Sequence, residues 1–263
     1  MNNIKKIIKN DTFQSVLWIC ALLALWEIAP RCGWVSSYLL PPFSKVVSTL
    51  WEQLRTNNLA LMTWNSLQLV LIGTLVSMAI AIVAAFLCMW CKPIENLFKA
   101  LCTIFNPLPG MAIMPLILMW FGLSTGSMIA LMAHGVVWPL VTELLAGFRS
   151  VPKIYREYAK NIGVDVATET RTILLIAIMP YFLSGLRIGW GRAWRALISA
   201  EMVFGIVGSL GGIGYYIFIQ RAYGNLTKVM AGVLVIVIIG ILIEQIFRQI
   251  EKHTIEKWGM TND

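Results

Sequence analysis

Four charged side chains interrupt a long apolar stretch at about residues 180–206: Arg187, Arg192, Arg195 and Glu201. If the stretch is a helix, one face carries Arg187, Gly191, Trp194, Ile198 and Glu201, with Arg195 at its edge. Charged groups within a bilayer face protein or water, so this face could line a pathway and attract an anion. The alternative is structural: Glu201 would neutralise an arginine across a subunit interface, and the GLRIG segment, 185–189, would permit close helix packing.

A second group of polar residues in apolar surroundings comprises Asn106, His134 and Glu143. Asn106 precedes Pro107 and Pro109, which would break the helical hydrogen-bond ladder and expose backbone groups, so the region is either part of a gate or a kink. An intramembrane enzyme could use His134 and Glu143 as acid and base, but no nucleophile motif accompanies them. Too few suitable ligands are present to indicate a metal site.

The elements that must position these residues are membrane helices. Of the 263 residues 58% are hydrophobic and only 13% are charged, which lies outside ordinary soluble composition. The apolar runs are continuous and match the roughly 20 residues that a helical span needs, which excludes barrel strands. The sequence predicts an all-α integral membrane protein with a single domain, 1–263. Its six spans cover about 14–30, 67–90, 98–121, 127–147, 180–206 and 229–247.

The distribution of Lys and Arg between the spans indicates the orientation. Cytoplasmic loops carry an excess of these residues, and the excess falls on the segments that share a side with the amino terminus. Both termini are therefore expected in the cytoplasm, with the chain in a bacterial inner membrane. The formal charge of +8 is mostly this topological signal, so it does not indicate nucleic-acid binding.

A short amphipathic helix is predicted on the outer side, after the first span. Ser44 follows the Pro41–Pro42 pair at a position suited to an N-cap. One face of the helix would carry Val46, Val47, Leu50, Trp51 and Leu54. This helix would lie on the membrane surface or pack against the ends of neighbouring spans.

Between spans four and five the chain becomes polar, in the segment FRSVPKIYREYAKNIGVD. Ser150 is a candidate N-cap for a helix at about 151–163, Gly163 suits a left-handed cap, and Asp165 can cap the next helix. An apolar stripe would be formed by Val151, Ile154, Tyr155, Tyr158, Ala159 and Ile162. So short a helix needs its stripe covered, either by the chain's own bundle or by a partner protein.

The segment EYAKNIGVD, 157–165, resembles the EAA loop of ABC importer membrane subunits, because Glu157, Ala159 and Gly163 match the pattern. Tyr158 replaces the first Ala, and Leu175 with Ile176 stands where many members have Leu-Pro. Further segments are similar to the nitrate, sulfonate and taurine branch of these permeases: LWEIAP, LLPPFSKVVSTLWE, NPLPGMAIMPLILMWFGLS, GFRSVPKIYREYAKNIG and SGLRIGWGRAWRALISAEM.

The resemblance implies two membrane subunits, completed most simply as a homodimer, with two cytoplasmic ATPases and an external substrate-binding protein. ATP and Mg would be bound by the ATPase and no cofactor by this chain, which lacks a G-x-x-x-x-G-K-[ST] phosphate loop. Ala159 is expected to pack close to the ATPase. The coupling segment would comprise Tyr155, Glu157, Tyr158, Ala159, Gly163 and Asp165.

The predicted pathway or gate residues are Asn106, Pro107, Pro109, His134, Arg187, Arg195 and Glu201. The basic groups of span five outnumber its acidic group, which favours a small anion such as nitrate, a sulfonate or taurine as the solute. The alternative is a secondary transporter or channel that works without an ATPase, because six spans with buried charges would suit either. That alternative leaves the coupling segment unexplained.

Overall fold

The computed structural model describes residues 11–56, 58–163, 165, 168, 170–205 and 211–254. Over these residues the chain is helical and contains no β-strand, which confirms the all-α fold class. A π-helical segment, Thr170–Leu174, leads directly into the eighth helix. The α-helices in chain order are α1 (Asp11–Arg31), α2 (Phe43–Thr56), α3 (Leu59–Trp90), α4 (Lys92–Phe105), α5 (Gly110–Phe121), α6 (Thr125–Ser150), α7 (Lys153–Asn161), α8 (Leu175–Phe204), α9 (Ile213–Ala222) and α10 (Leu226–Thr254).

Within the described part of the chain, three helices are long and apolar enough to cross a membrane: α3, α6 and α10. A fourth crossing results if α4 and α5, which meet at 110°, form one broken span. The predicted third span over 98–121 corresponds to part of α4 and to α5, with the break at the two prolines between them. The first and fifth predicted spans correspond to α1 and α8, and the total of six remains a prediction.

The break between α4 and α5 follows from its two prolines. Pro107 and Pro109 have no backbone N–H to donate, and Pro109 also disfavours helical geometry at Leu108. Helix α4 ends at Phe105, and Pro109 has the extended conformation that precedes α5 (φ −63°, ψ 133°). The chain therefore turns sharply instead of kinking slightly.

Helices α6 and α8 form the most extensive helix pair, and α6 also contacts α3, α4 and α5, so it occupies the centre of the bundle. Glycine permits the close approach of the pair. A Cβ at Gly189 would lie 3.1 Å from Cγ1 of Val136, and one at Gly185 would lie 2.9 Å from Cδ1 of Leu140. This confirms the close packing predicted for the GLRIG segment, and the partner helix belongs to the same chain.

The predicted amphipathic helix after the first span is present as α2. The prediction that Ser44 is its N-cap is wrong. Ser44 lies inside the first turn, and its backbone N–H donates to Glu27 of α1 at 2.8 Å. The predicted face is divided between two environments. Val46 and Leu50 are buried, consistent with the packing of α2 on α10, whereas Trp51 is exposed.

Helix α9 was not predicted, and its ten residues are too few to span a membrane. It packs against α8, α10 and α3 through a buried face that includes Ile213 and Ile217. Tyr216 on the same face donates a hydrogen bond to Gln53 of α2 at 3.2 Å. Burial raises the pKa of Tyr216 to about 12, so its hydroxyl remains a donor at neutral pH.

Candidate functional site

The chain between α4 and α5 is held by a ladder of side chains on α6. His134, Trp138 and Thr142 follow one another at intervals of four residues, so they share one face of that helix. His134 Nε2 contacts the carbonyl oxygen of Leu108 at 3.0 Å, and the side-chain amide of Asn106 donates to Thr142 Oγ1 at 3.3 Å. The predicted Asn106 and His134 are therefore brought together at the break.

The contacts of the two ring nitrogens define the tautomer of His134. The Trp138 indole N–H lies 3.1 Å from His134 Nδ1, and an indole nitrogen can only donate. Nδ1 therefore accepts, and Nε2 carries the proton that it donates to Leu108. Phe105 stacks on Trp138 with ring centroids 4.9 Å apart, which adds an apolar contact to the same support. His134 is a positioning residue in this arrangement.

A cavity of about 280 Å³, here called the arginine cavity, opens beside the break. Its lining includes His134, Ser199, Arg192 and Arg195 and contains no carboxylate among the described residues. Arg192 donates from Nη1 to the side-chain oxygen of Asn106 at 2.8 Å and to its backbone oxygen at 3.2 Å. Arg195 is exposed, and within the described ranges it forms no ion pair or hydrogen bond.

A second cavity of about 500 Å³, here called the Lys99 cavity, lies between α4 and α6. Its lining includes Lys99, Arg149, Thr103 and Asn106. Lys99 lies 2.6 Å from a carboxylate oxygen of Glu95. The same carboxylate also pairs with Arg149 and with Lys92. This cluster was not predicted from the sequence, although the i, i+3 and i+7 spacing of Lys, Glu and Lys in KPIENLFK was a local signal.

Arg187 does not lie at either cavity. Its guanidinium contacts Glu244 and lies 3.1 Å from Glu251, both on α10. Arg187 and Glu201, which were predicted to share one helix face, therefore contact different parts of the bundle. Arg187 has its carboxylate partners within its own chain, which supports the structural alternative for this residue.

Glu201 is buried inside the bundle, with 4% of its surface exposed. Its carboxylate accepts hydrogen bonds from Ser66 Oγ at 2.8 Å and from the backbone N–H of Gly214 at 2.9 Å. These partners of the carboxylate lie in the same chain, and the interpretation that Glu201 neutralises an arginine across a subunit interface stays a prediction. The sequence pattern could not reveal a partner 135 residues away.

The predicted coupling helix is present as α7 but covers Lys153–Asn161, not 151–163. Ser150 is not its N-cap, because it belongs to the end of α6 and its hydroxyl donates to Gly147. Gly163 has φ +75°, the left-handed conformation predicted for it. Asp165 accepts the backbone N–H of Thr168 at 3.1 Å, which is the geometry of an N-cap.

The apolar stripe of α7 contains both buried and exposed residues. Ala159 is buried within the chain, with 2% of its surface exposed, and the expectation that it packs close to an ATPase stays a prediction. Tyr158 is 65% exposed. Five exposed residues of α7 and of the turn after it are here called the α7 face: Ile154, Tyr155, Glu157, Tyr158 and Ile162.

Apolar membrane helices, two cavities with charged side chains in their lining at a broken helix and an exposed amphipathic helix are features that suit a membrane transport component. The family described as binding-protein-dependent transport system inner membrane component matches residues 77–256, and the chain belongs to this family. It is the permease subunit of an ABC importer, a multi-pass inner-membrane protein and not an enzyme. The resemblance to the nitrate, sulfonate and taurine branch is confirmed.

Three relatives are similar over almost the whole chain. An ABC transporter permease protein of Methanocaldococcus jannaschii is 30% identical, covering 95% of this chain and 96% of the relative. An aliphatic sulfonates transport permease protein of Bacillus subtilis is 26% identical, covering 93% and 87%. A taurine transport system permease protein of Escherichia coli is 25% identical, covering 91% and 87%.

Proposed function

We propose that this permease carries a small anion through the arginine cavity. The observation that carries the proposal is Arg195, which faces the cavity without an ion pair in the described part of the chain. Arg192 offers further guanidinium N–H groups to the same space, and the described lining residues include no carboxylate that would compete for them. Guanidinium groups bind sulfonate and nitrate oxygens through charge-assisted hydrogen bonds. The names of the sulfonate and taurine relatives support the same solute class.

The α7 face is the proposed docking surface for the ATPase that binds ATP and Mg. Tyr155, Tyr158 and their apolar neighbours are exposed, although a helix of nine residues needs tertiary contacts for stability. Ala159 would support this helix from inside the chain. Gly163 and Asp165 would then transmit movement of the docked helix to α8.

A second copy of the chain and an external substrate-binding protein complete the proposed importer. One chain supplies one α7 face and one pair of cavities, so a homodimer would supply docking surfaces for two ATPases. The Lys and Arg distribution supports cytoplasmic termini, which would put the α7 face in the cytoplasm. The delivered solute would then enter from the opposite side.

Co-purification tests the docking proposal and separates it from a channel or secondary transporter. The tagged permease is co-expressed with its ATPase and binding protein, and Tyr158→Asp is compared with Tyr223→Asp, a change at another exposed tyrosine outside α7. We expect Tyr158→Asp to lose the ATPase and Tyr223→Asp to retain it. Equal recovery of the ATPase with both variants would contradict docking at the α7 face.

The solute class is tested on the purified complex reconstituted with its binding protein. ATP hydrolysis is measured with the anions nitrate and an alkanesulfonate, with taurine, a zwitterion that carries a sulfonate, and with an uncharged solute of similar size as the control. We expect at least one anion to stimulate hydrolysis and the uncharged solute to have no effect. Stimulation by uncharged solutes alone would contradict an anion pathway and leave the permease assignment unchanged.

A further inference from the structure

The two cavities have one lining residue in common. Asn106 lines both the arginine cavity and the Lys99 cavity. Its side-chain oxygen accepts from Arg192 of α8, and its side-chain nitrogen donates to Thr142 of α6. Both ends of this amide are therefore bound, and its side chain bridges two helices at the boundary between the cavities.

The cavities lie at different depths relative to α7. Arg149 is next to the end of α6, directly before α7, so the Lys99 cavity lies toward the α7 end of the bundle. His134 lies four turns earlier on α6, and Arg192 lies well beyond the start of α8. The arginine cavity is therefore farther from α7, and a solute moving toward α7 would meet it first.

The Lys99 cavity offers a second positive environment on that route. Lys92, Lys99 and Arg149 share the single carboxylate of Glu95, so positive charge is in excess. An anion that leaves the arginine cavity toward α7 would therefore enter another site with the same chemical preference.

We propose that Asn106 and Arg192 form a solute-operated gate between two successive anion sites, an inference that rests on the proposed anion function. An anion in the arginine cavity competes with the neutral oxygens of Asn106 for the Arg192 guanidinium, and charge-assisted hydrogen bonds are the stronger. Release of Asn106 opens the boundary to the Lys99 cavity. The His134 contact with Leu108 holds the backbone meanwhile, so the movement is confined to side chains.

The gate is tested by thiol labelling at the Lys99 cavity. The five native cysteines are replaced by serine, and Thr103→Cys places an exposed thiol in that cavity. Right-side-out vesicles containing the whole transporter receive the impermeant anion sulfonatoethyl methanethiosulfonate. We expect Asn106→Ala to label severalfold faster than the parent, because the bridging amide is removed. Asn106→Asp should label more slowly than the parent, because a carboxylate binds Arg192 more tightly.

Opposite effects at one position cannot arise from general misfolding. Arg192→Lys should also accelerate labelling, because the lysine ammonium ends one atom short of the Nη1 position that donates to both oxygens of Asn106. Arg248→Lys is the matched control, an exposed arginine on α10 that lines neither cavity, and it should label at the parent rate. Equal labelling of the parent, Asn106→Ala and Asn106→Asp would overturn the gate.

A cationic reagent, trimethylammonioethyl methanethiosulfonate, separates the gate from the solute class. If Asn106→Ala accelerates both reagents equally, the gate is supported and the preference for anions fails. If anion transport is intact but Asn106→Ala changes neither labelling rate, the gate is overturned and the proposed anion function stands.

Discussion

The hydroxyl of Ser66 donates to the carboxylate of Glu201 at 2.8 Å, joining α3 to α8 inside the bundle. The same hydroxyl accepts the backbone N–H of Ile213 at 2.9 Å, and Glu201 accepts that of Gly214 at 2.9 Å. The first N–H groups of a helix have no partner within it, so Ser66 and Glu201 supply the hydrogen-bond acceptors for the first two N–H groups of α9. Glu201 thus connects three helices.

Removal of the Glu201 carboxylate is expected to destabilise the permease. Glu201→Ala leaves the Ser66 hydroxyl and the Gly214 N–H without an acceptor, and each buried unsatisfied group costs about 1–3 kcal/mol. Glu201→Gln retains one acceptor oxygen and should cost less. Thermal unfolding in detergent measures both, with Glu157→Ala on the exposed side of α7 as the control. A melting temperature of Glu201→Ala equal to that of the wild type would contradict the structural role.

Two glycines of α8 should respond differently to alanine. A Cβ at Gly189 would lie 3.2 Å from Cα of Val136, whereas one at Gly191 would have no atom within 4 Å. We expect Gly189→Ala to lower the melting temperature, because α6 and α8 must separate. Gly191→Ala should be neutral or slightly stabilising, because alanine favours a helix by about 1 kcal/mol over glycine. Equal effects of the two substitutions would mean that the helices do not approach closely at Gly189.

The pairing of Arg187 with α10 should appear as thermodynamic coupling. Arg187→Gln leaves Glu244 and Glu251 without their cation, so the protein should melt at a lower temperature. In the double variant Arg187→Gln with Glu244→Gln, the loss should be smaller than the sum of the single losses. Additive losses would show that the two side chains do not interact.

The features that the sequence predicted well depend on short-range patterns. The left-handed Gly163, the cap at Asp165 and the close packing at 185–189 involve neighbouring residues or residue size. The sharp turn at Pro107 and Pro109 was indicated as either a gate or a kink, but proline chemistry does not define an angle of 110°.

The features that the sequence missed depend on which helices meet. A helical wheel treats one face of α8 as uniform, but Arg187 lies beside α10 whereas Glu201 lies beside α3 and α9. Ala159 belongs to the apolar stripe of α7 but is buried, because the periodicity of a helix identifies its apolar residues and not what covers each of them. In both helices, tertiary contacts and not local spacing decide which neighbours each residue has.

ATP-driven uptake of a labelled sulfonate by the reconstituted importer tests the central claim most directly. We expect uptake by the wild type to require ATP, the ATPase and the binding protein. Arg195→Gln should reduce it about tenfold or more, because a hydrogen bond to a charged group contributes about 1.5–3 kcal/mol, and Arg195→Lys should retain part of it. Uptake without the ATPase, or uptake that is unchanged in Arg195→Gln, would contradict an ATP-driven anion pathway through the arginine cavity.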